Sequence, residues 1–227
     1  MARNSKPAPD DLPAAVRARL AGEIAASAPF DGWGEAGIRA AAMAAGVDPD
    51  VALYAFTSGG ERPEVAAIGA WIEAIDTAME AALGHGALDG LPVREKIRRL
   101  VTFRLEAMAG MEEAVRRALS VMANPRNAPR TARRGWHSAD VMWRLAGDTA
   151  ADYNHYTKRA TLGALYAATL AVWIDDQSVD KAETHAFLER RIAGVMRFEK
   201  TKARLLNPAV PAFSMTRFLG RLRYPAN

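Results

Sequence analysis

The sequence predicts an all-α protein, a bundle of long helices preceded by three short ones. Three observations predict it. Apolar residues recur at spacings of three and four in nearly every segment, while β-branched residues rarely alternate. Helix start and stop residues stand at most of the boundaries this periodicity implies. With 227 residues, 50% of them apolar and 25% charged, the chain is long enough to bury a sizeable core and too apolar to be disordered.

The pattern places helices at about 10–27, 33–45, 49–57, 62–83, 91–107, 109–122, 130–146, 150–174, 179–204 and 211–222. The second ends at Gly46, suited to a left-handed C-terminal cap. The third starts with Asp48 as N-cap and Pro49 at the first helical position, where a missing N–H costs nothing. Asn124 to Pro129 is the clearest internal break, between the sixth and seventh. Thr149 can cap the eighth, with Asp152 closing a capping box. Pro208 and Pro211 set off the tenth, and Pro211 fits its first position. The expected organisation is a three-helix unit at 1–60, a helical bundle at 61–206 and an amphipathic segment at 207–227.

Composition removes several function classes. Without cysteine there is no disulfide scaffold, thiolate nucleophile, iron–sulfur centre or sulfur-ligated zinc. The longest apolar stretch, Gly163 to Ile174, is shorter than the roughly 20 residues a spanning helix needs. The first thirteen residues mix Arg3 and Lys6 with Asp10, Asp11 and three prolines, unlike a secretory or transit leader. Together with the excess of arginine over lysine and the abundance of alanine, this sets the expectation of a bacterial cytoplasmic protein, peripheral on the inner membrane.

Charge is unevenly distributed. Residues 31–64 carry a net −4 and residues 190–227 a net +8. Ile38 to Val47 followed by Asp48 to Phe56 looks like the helix-turn-helix of TetR repressors, with Leu53, Tyr54 and Phe56 as anchors of the second helix. A recognition helix must bring cations to phosphate. This one begins with Asp48 and Asp50, and Thr57-Ser58-Gly59-Gly60 stands where such repressors usually have a lysine. The motif is therefore read as a degenerate packing unit, and no nucleic acid is expected as partner.

The most distinctive run is Ala146 to Arg159, AGDTAADYNHYTKR. It closely resembles a signature of the coenzyme Q biosynthesis accessory family, the ninth coenzyme Q biosynthesis protein, whose members have a TetR-like fold. Phe187 to Ile192 and Arg221 to Pro225 resemble further stretches of that family. The resemblance implies a TetR-like helical bundle without chemistry or cofactor of its own, which binds an isoprenoid lipid or quinone precursor and assists a di-iron demethoxyubiquinone hydroxylase. It assigns Met142, Asp152, His155, Tyr156, Lys158 and Arg159 to the enzyme-contacting patch; family members often have Trp where this chain has His155.

The residues also allow plainer roles. Asp152 can serve only as a cap, and His155 can pack under the stripe Leu162, Leu165, Tyr166, Thr169 and Trp173. The four histidines never form the paired Glu-x-x-His motifs of a di-iron bundle, so no metal is expected. Small residues from Ala160 to Ala171 permit either close packing or a slot. The resemblance favours a lipid slot, lined by Leu162, Leu165, Tyr166 and Trp173 with Phe103, Leu105 and Met108 opposite. Met108, Met111 and Met122 would supply adaptable walls.

At the C-terminal end, Met215, Phe218, Leu219 and Leu222 form an apolar stripe, with Arg217 and Arg221 opposite and Arg223 beyond. This segment is expected on an anionic membrane surface, with docking on the bundle as the alternative. The expected function is a non-catalytic, lipid-binding accessory protein of ubiquinone biosynthesis. The alternative is a TetR-type, ligand-responsive transcription regulator. Sequence leaves open whether the chain is a monomer or a homodimer.

Overall fold

Cap and turn chemistry sets the helix boundaries. The structure, a computed structural model, describes residues 12–148 and 153–206. Among these, nine α-helices follow one another: α1 (Leu12–Asp31), α2 (Glu35–Ala44), α3 (Pro49–Thr57), α4 (Pro63–Leu83), α5 (Val93–Glu106), α6 (Glu112–Met122), α7 (Ala128–Leu145), α8 (Tyr153–Asp175) and α9 (Ala182–Leu206). Gly46, at φ +67°, ends α2 in a Schellman motif: its N–H and that of Val47 donate to the carbonyls of Met43 and Ala42 at 3.2 and 2.8 Å. The Asp48 carboxylate accepts from the backbone N–H groups of Asp50 and Val51, capping α3 ahead of Pro49. α1 runs to Asp31, beyond its expected end, and takes Pro29 into its last turn. A proline so near the C-terminus forfeits a single backbone hydrogen bond, and the helix stops two residues later.

Thr149, Asp152, the expected tenth helix and its residues Met215, Arg217, Phe218, Leu219, Arg221, Leu222 and Arg223 lie outside the described residues.

Small residues let the N-terminal helices approach closely. Ala21, Ala25 and Ala28 of α1, Ala41 and Ala42 of α2 and Ala52 of α3 are all buried in the same core as Ile68 and Met79 of α4. Trp33 joins this unit to the rest: its indole N–H donates to the Ala114 carbonyl of α6 at 3.1 Å, and its ring lies 5.2 Å from that of Trp71 in α4. Phe56 anchors α3 as expected, with Leu53 half-buried. Tyr54 does not: it is 65% exposed, because Ala52, Ala55 and Phe56 occupy the inward stripe of so short a helix.

α8 packs against α7 on one side and α9 on the other. Its corner with α9 is held by Asp176. That buried carboxylate accepts from the N–H and hydroxyl of Ser178 at 2.8 and 2.5 Å, and from the N–H and hydroxyl of Thr184 at 2.8 and 2.6 Å. Burial disfavours the charge, but these four hydrogen bonds outweigh it and hold the Asp176 pKa well below the usual carboxylate range. Lys181, at φ +53°, donates to the carbonyl of Asp176 at 2.8 Å, and its ammonium lies 5.0 Å from the Trp173 ring centroid.

Candidate functional site: an apolar cavity beside an aromatic patch

The inward faces of α4, α5, α6, α7 and α8 enclose a cavity of about 210 Å³. Its walls are mostly apolar: Ile68, Trp71 and Ile75 from α4, Val115, Ala118 and Met122 from α6, Met142 from α7, and Gly163, Ala167 and Leu170 from α8. Exposed residues Leu119, Gly135 and Ala167 are part of the lining, so the cavity reaches the surface.

One part of the wall is polar. Arg104 of α5, only 2% exposed, ion-pairs with Asp76 of α4, and the Ser138 hydroxyl of α7 donates to the other Asp76 oxygen at 2.8 Å. The guanidinium carbon lies 4.9 Å from the ring centroid of Tyr166 in α8. Burial disfavours the Arg104 charge, but Tyr166 and Asp76 together outweigh it and raise the pKa above the ordinary guanidinium value. Arg104 Nε is buried without a hydrogen-bond partner.

A second polar feature marks the α4–α7 edge. Arg134 pairs with Glu61 at 2.6 Å and Glu73 at 3.1 Å, its guanidinium lying over Gly69, where an added Cβ would overlap it. Arg134 and Ile72 belong both to the apolar cavity and to an adjoining polar cleft of about 710 Å³ that also holds Arg130, Arg133 and His137.

Outside the cavity, three aromatic rings meet where α7 faces the start of α8. Tyr156 is 62% exposed; its ring centroid lies 5.8 Å from that of Trp136 and 5.2 Å, edge-on, from that of half-buried His155. Lys158 packs its ammonium 5.5 Å from the Trp143 ring centroid and pairs with Asp148. Two residues expected on this surface are buried instead. Met142 is 1% exposed and turned into the cavity, and Arg159 is buried between Asp140 and Asp148.

Of the expected slot residues, Met108 and Tyr166 line the cavity. Leu162 and Leu165 lie on another side of α8, in a crevice of about 50 Å³ formed with α5 and α9. Leu105 and Trp173 are buried in the core, and Phe103 is packed against it, without reaching the cavity. Sequence reasoning missed Asp76, Arg104, Ser138 and Trp136. Arg104 did leave a signal: it continues the stripe Ile97, Leu100, Val101 and Leu105, a cation on an otherwise inward apolar face. Among the described residues no group of three His, Asp or Glu side chains is placed to hold a metal.

Helix order, the α2–α3 unit and the cavity between the later helices define an all-α bundle of TetR architecture. A TetR transcriptional regulator from Nitrosomonas europaea superposes with a TM-score of 0.62, covering 79% of this chain and 97% of that one at 19% identity. Residues 128–199, which span α7, α8 and most of α9, match the COQ9 family model. The mitochondrial ubiquinone biosynthesis protein COQ9 of Homo sapiens is 37% identical over 105 residues, 46% of this chain and 33% of that protein. Its Rattus norvegicus counterpart is 36% identical over the same length, and COQ9-B of Xenopus laevis 34% over 111 residues. The matched stretch thus spans only about a third of these relatives.

The relatives correct the expected placement in a bacterial cytoplasm, peripheral on the inner membrane, because they are named as mitochondrial proteins. The arginine and alanine bias behind that expectation carries no cellular address. No helix among the described residues is long and apolar enough to cross a membrane.

Proposed function

We propose that this protein takes part in ubiquinone biosynthesis as a non-catalytic accessory that holds an isoprenoid quinone precursor and hands it to a di-iron hydroxylase. The observation that carries the reading is the apolar cavity, two walls of which, α7 and α8, lie in the stretch that matches the COQ9 family model. Its opening supports a handover. Gly135 in the lining directly precedes Trp136 of the aromatic patch. Tyr156 and Ala167 are eleven residues apart on α8, about three turns, so both lie on one side of that helix. An enzyme docked on Trp136 and Tyr156 sits beside the cavity mouth.

Charge weighs against the regulator reading. Arg39, the cation of α2, is engaged by Glu35 and Asp50, so the face that would meet phosphate is acidic. The experiment is to identify the lipid that co-purifies from the native host by mass spectrometry and to measure binding to the hydroxylase. Recovery of an isoprenoid quinone or precursor is the expected result. Protein that neither carries nor binds such lipids, or that binds promoter DNA selectively, would overturn the proposal.

A further inference from the structure

We propose that the cavity seats the oxygenated ring of its ligand rather than the aliphatic tail, with a neutral ring oxygen accepting a hydrogen bond from the Arg104 guanidinium. This rests on the reading of the cavity as the ligand site.

Size is the first argument. At about 210 Å³ the cavity is somewhat larger than the roughly 150 Å³ that accepts a benzene ring. That suits one substituted ring and is small for a long prenyl chain. The tail then leaves past exposed Gly135 and Ala167.

The second argument is the composition of the wall. A tail has no use for a buried ion pair, and replacing such a pair by apolar residues is often neutral or stabilising. Yet Arg104 stands in the wall of an apolar space, paired behind it with Asp76 and flanked in the wall by Ser138 and Tyr166. Asp76 is engaged on both oxygens, one by Arg104 and one by Ser138, while Arg104 Nε has no acceptor. A guanidinium carries five N–H donors, so the cluster holds donor capacity beyond its internal bonds.

The third argument selects the chemistry. Asp76 already neutralises Arg104, so the cluster offers a hydrogen-bond donor but no net charge. A carboxylate or phosphate would bring a second buried anion against Asp76. A carbonyl, phenol or aryl ether satisfies the donor without that cost. Methionines 108, 122 and 142 and the Trp71 ring supply polarizable contacts for a flat ring. Handover to an enzyme then requires the ring to withdraw from Arg104.

The test uses calorimetric titration with two ligands that differ only in oxygen: trimethylbenzoquinone and trimethylbenzene, each bearing the same geranyl chain. The wild-type protein should bind the quinone about tenfold more tightly, as expected for a hydrogen bond from a charged donor. In Arg104→Met with Asp76→Leu, where both charges leave together, hydrocarbon binding should persist and the preference should vanish. Arg104→Lys, which keeps the ion pair but loses Nε, should also reduce the preference. Equal wild-type affinities for the two ligands would overturn the inference while leaving the cavity a lipid site. So would a full preference retained in Arg104→Lys, since the discriminating donor would then not be the guanidinium Nε. Failure of the wild type to bind either ligand would instead overturn the reading of the cavity as a ligand site. If the paired variant does not fold, the wild-type comparison and Arg104→Lys still decide the question.

Discussion

Arg159 of α8 reaches back to Asp148 beyond the end of α7, with Nη1 3.2 Å from Oδ2 and both side chains buried. Its Nε lies 2.6 Å from Asp140, and Lys158 takes the other Asp148 oxygen at 2.5 Å. Asp148, Lys158 and Arg159 thus tie the end of α7 to α8. Arg159→Ala should destabilise the fold by about 1–3 kcal/mol, because Asp148, which is buried, and Asp140 each lose a charged partner and keep Lys158 and Arg144 respectively. Chemical denaturation at neutral pH measures this.

Exposed Tyr156, three residues earlier, should behave in the opposite way. Tyr156→Ala and Trp136→Ala are expected to alter stability by less than about 0.5 kcal/mol. Each should weaken hydroxylase binding by about 1 kcal/mol or more, as interface anchors do. Met142→Ala should show the reverse profile, costing about 2–5 kcal/mol of stability because Met142 is buried against the cavity. A pull-down paired with a melting curve separates the two classes.

Asp176 gives a pH-dependent signature. Its pKa in the folded protein lies below the ordinary value of about 3.9, so its stabilisation is complete above that pH and is lost as pH falls toward the folded value. Asp176→Asn should cost about 1–3 kcal/mol at pH 7, since the amide presents a donor where Thr184 needs an acceptor. Below about pH 4 the gap to wild type should narrow. Urea denaturation across pH 2.5–7 provides the comparison.

Gly69→Ala should displace the Arg134 guanidinium from its seat on α4 and loosen its bonds to Glu61 and Glu73. The helix gains about 1 kcal/mol from losing an interior glycine, which roughly offsets the partly exposed ion pairs. Near-neutral stability is therefore expected, together with faster ligand exchange at the cleft edge. Stopped-flow release of a bound quinone measures the rate.

Boundaries were legible in the sequence where a side chain acts on its own backbone. Asp48, Pro49 and Gly46 each specify a local geometry, and each occupies it. The end of α1 was less legible: the helix runs to Asp31, past its expected end, with Pro29 inside its last turn.

The site was less legible, for a reason that lies in α8. This helix buries Leu162 and Leu165 on one side and presents Gly163, Tyr166 and Ala167 to the cavity on another. When both sides of a helix are apolar, periodicity shows that it is buried but not which side meets which neighbour. The resemblance marked the patch run, yet it could not separate outward Tyr156 from inward Arg159. That distinction depends on the angle at which α7 meets α8. Arg104 and Asp76 stand 28 residues apart on the consecutive helices α4 and α5, and no periodicity within either helix announces their pairing.

α8 also has a mechanical consequence. His155 and Tyr156 stand in its first turn, and Gly163, Tyr166 and Ala167 follow about 10–18 Å further along a helix without proline. Such a continuous helix moves as one piece, so on the proposed reading a displacement that admits a ligand at Tyr166 carries the outer rings with it. Cargo and docking partner then share one lever, and thermodynamic reciprocity requires that whatever loading does to the affinity for the partner, docking does to the affinity for the cargo.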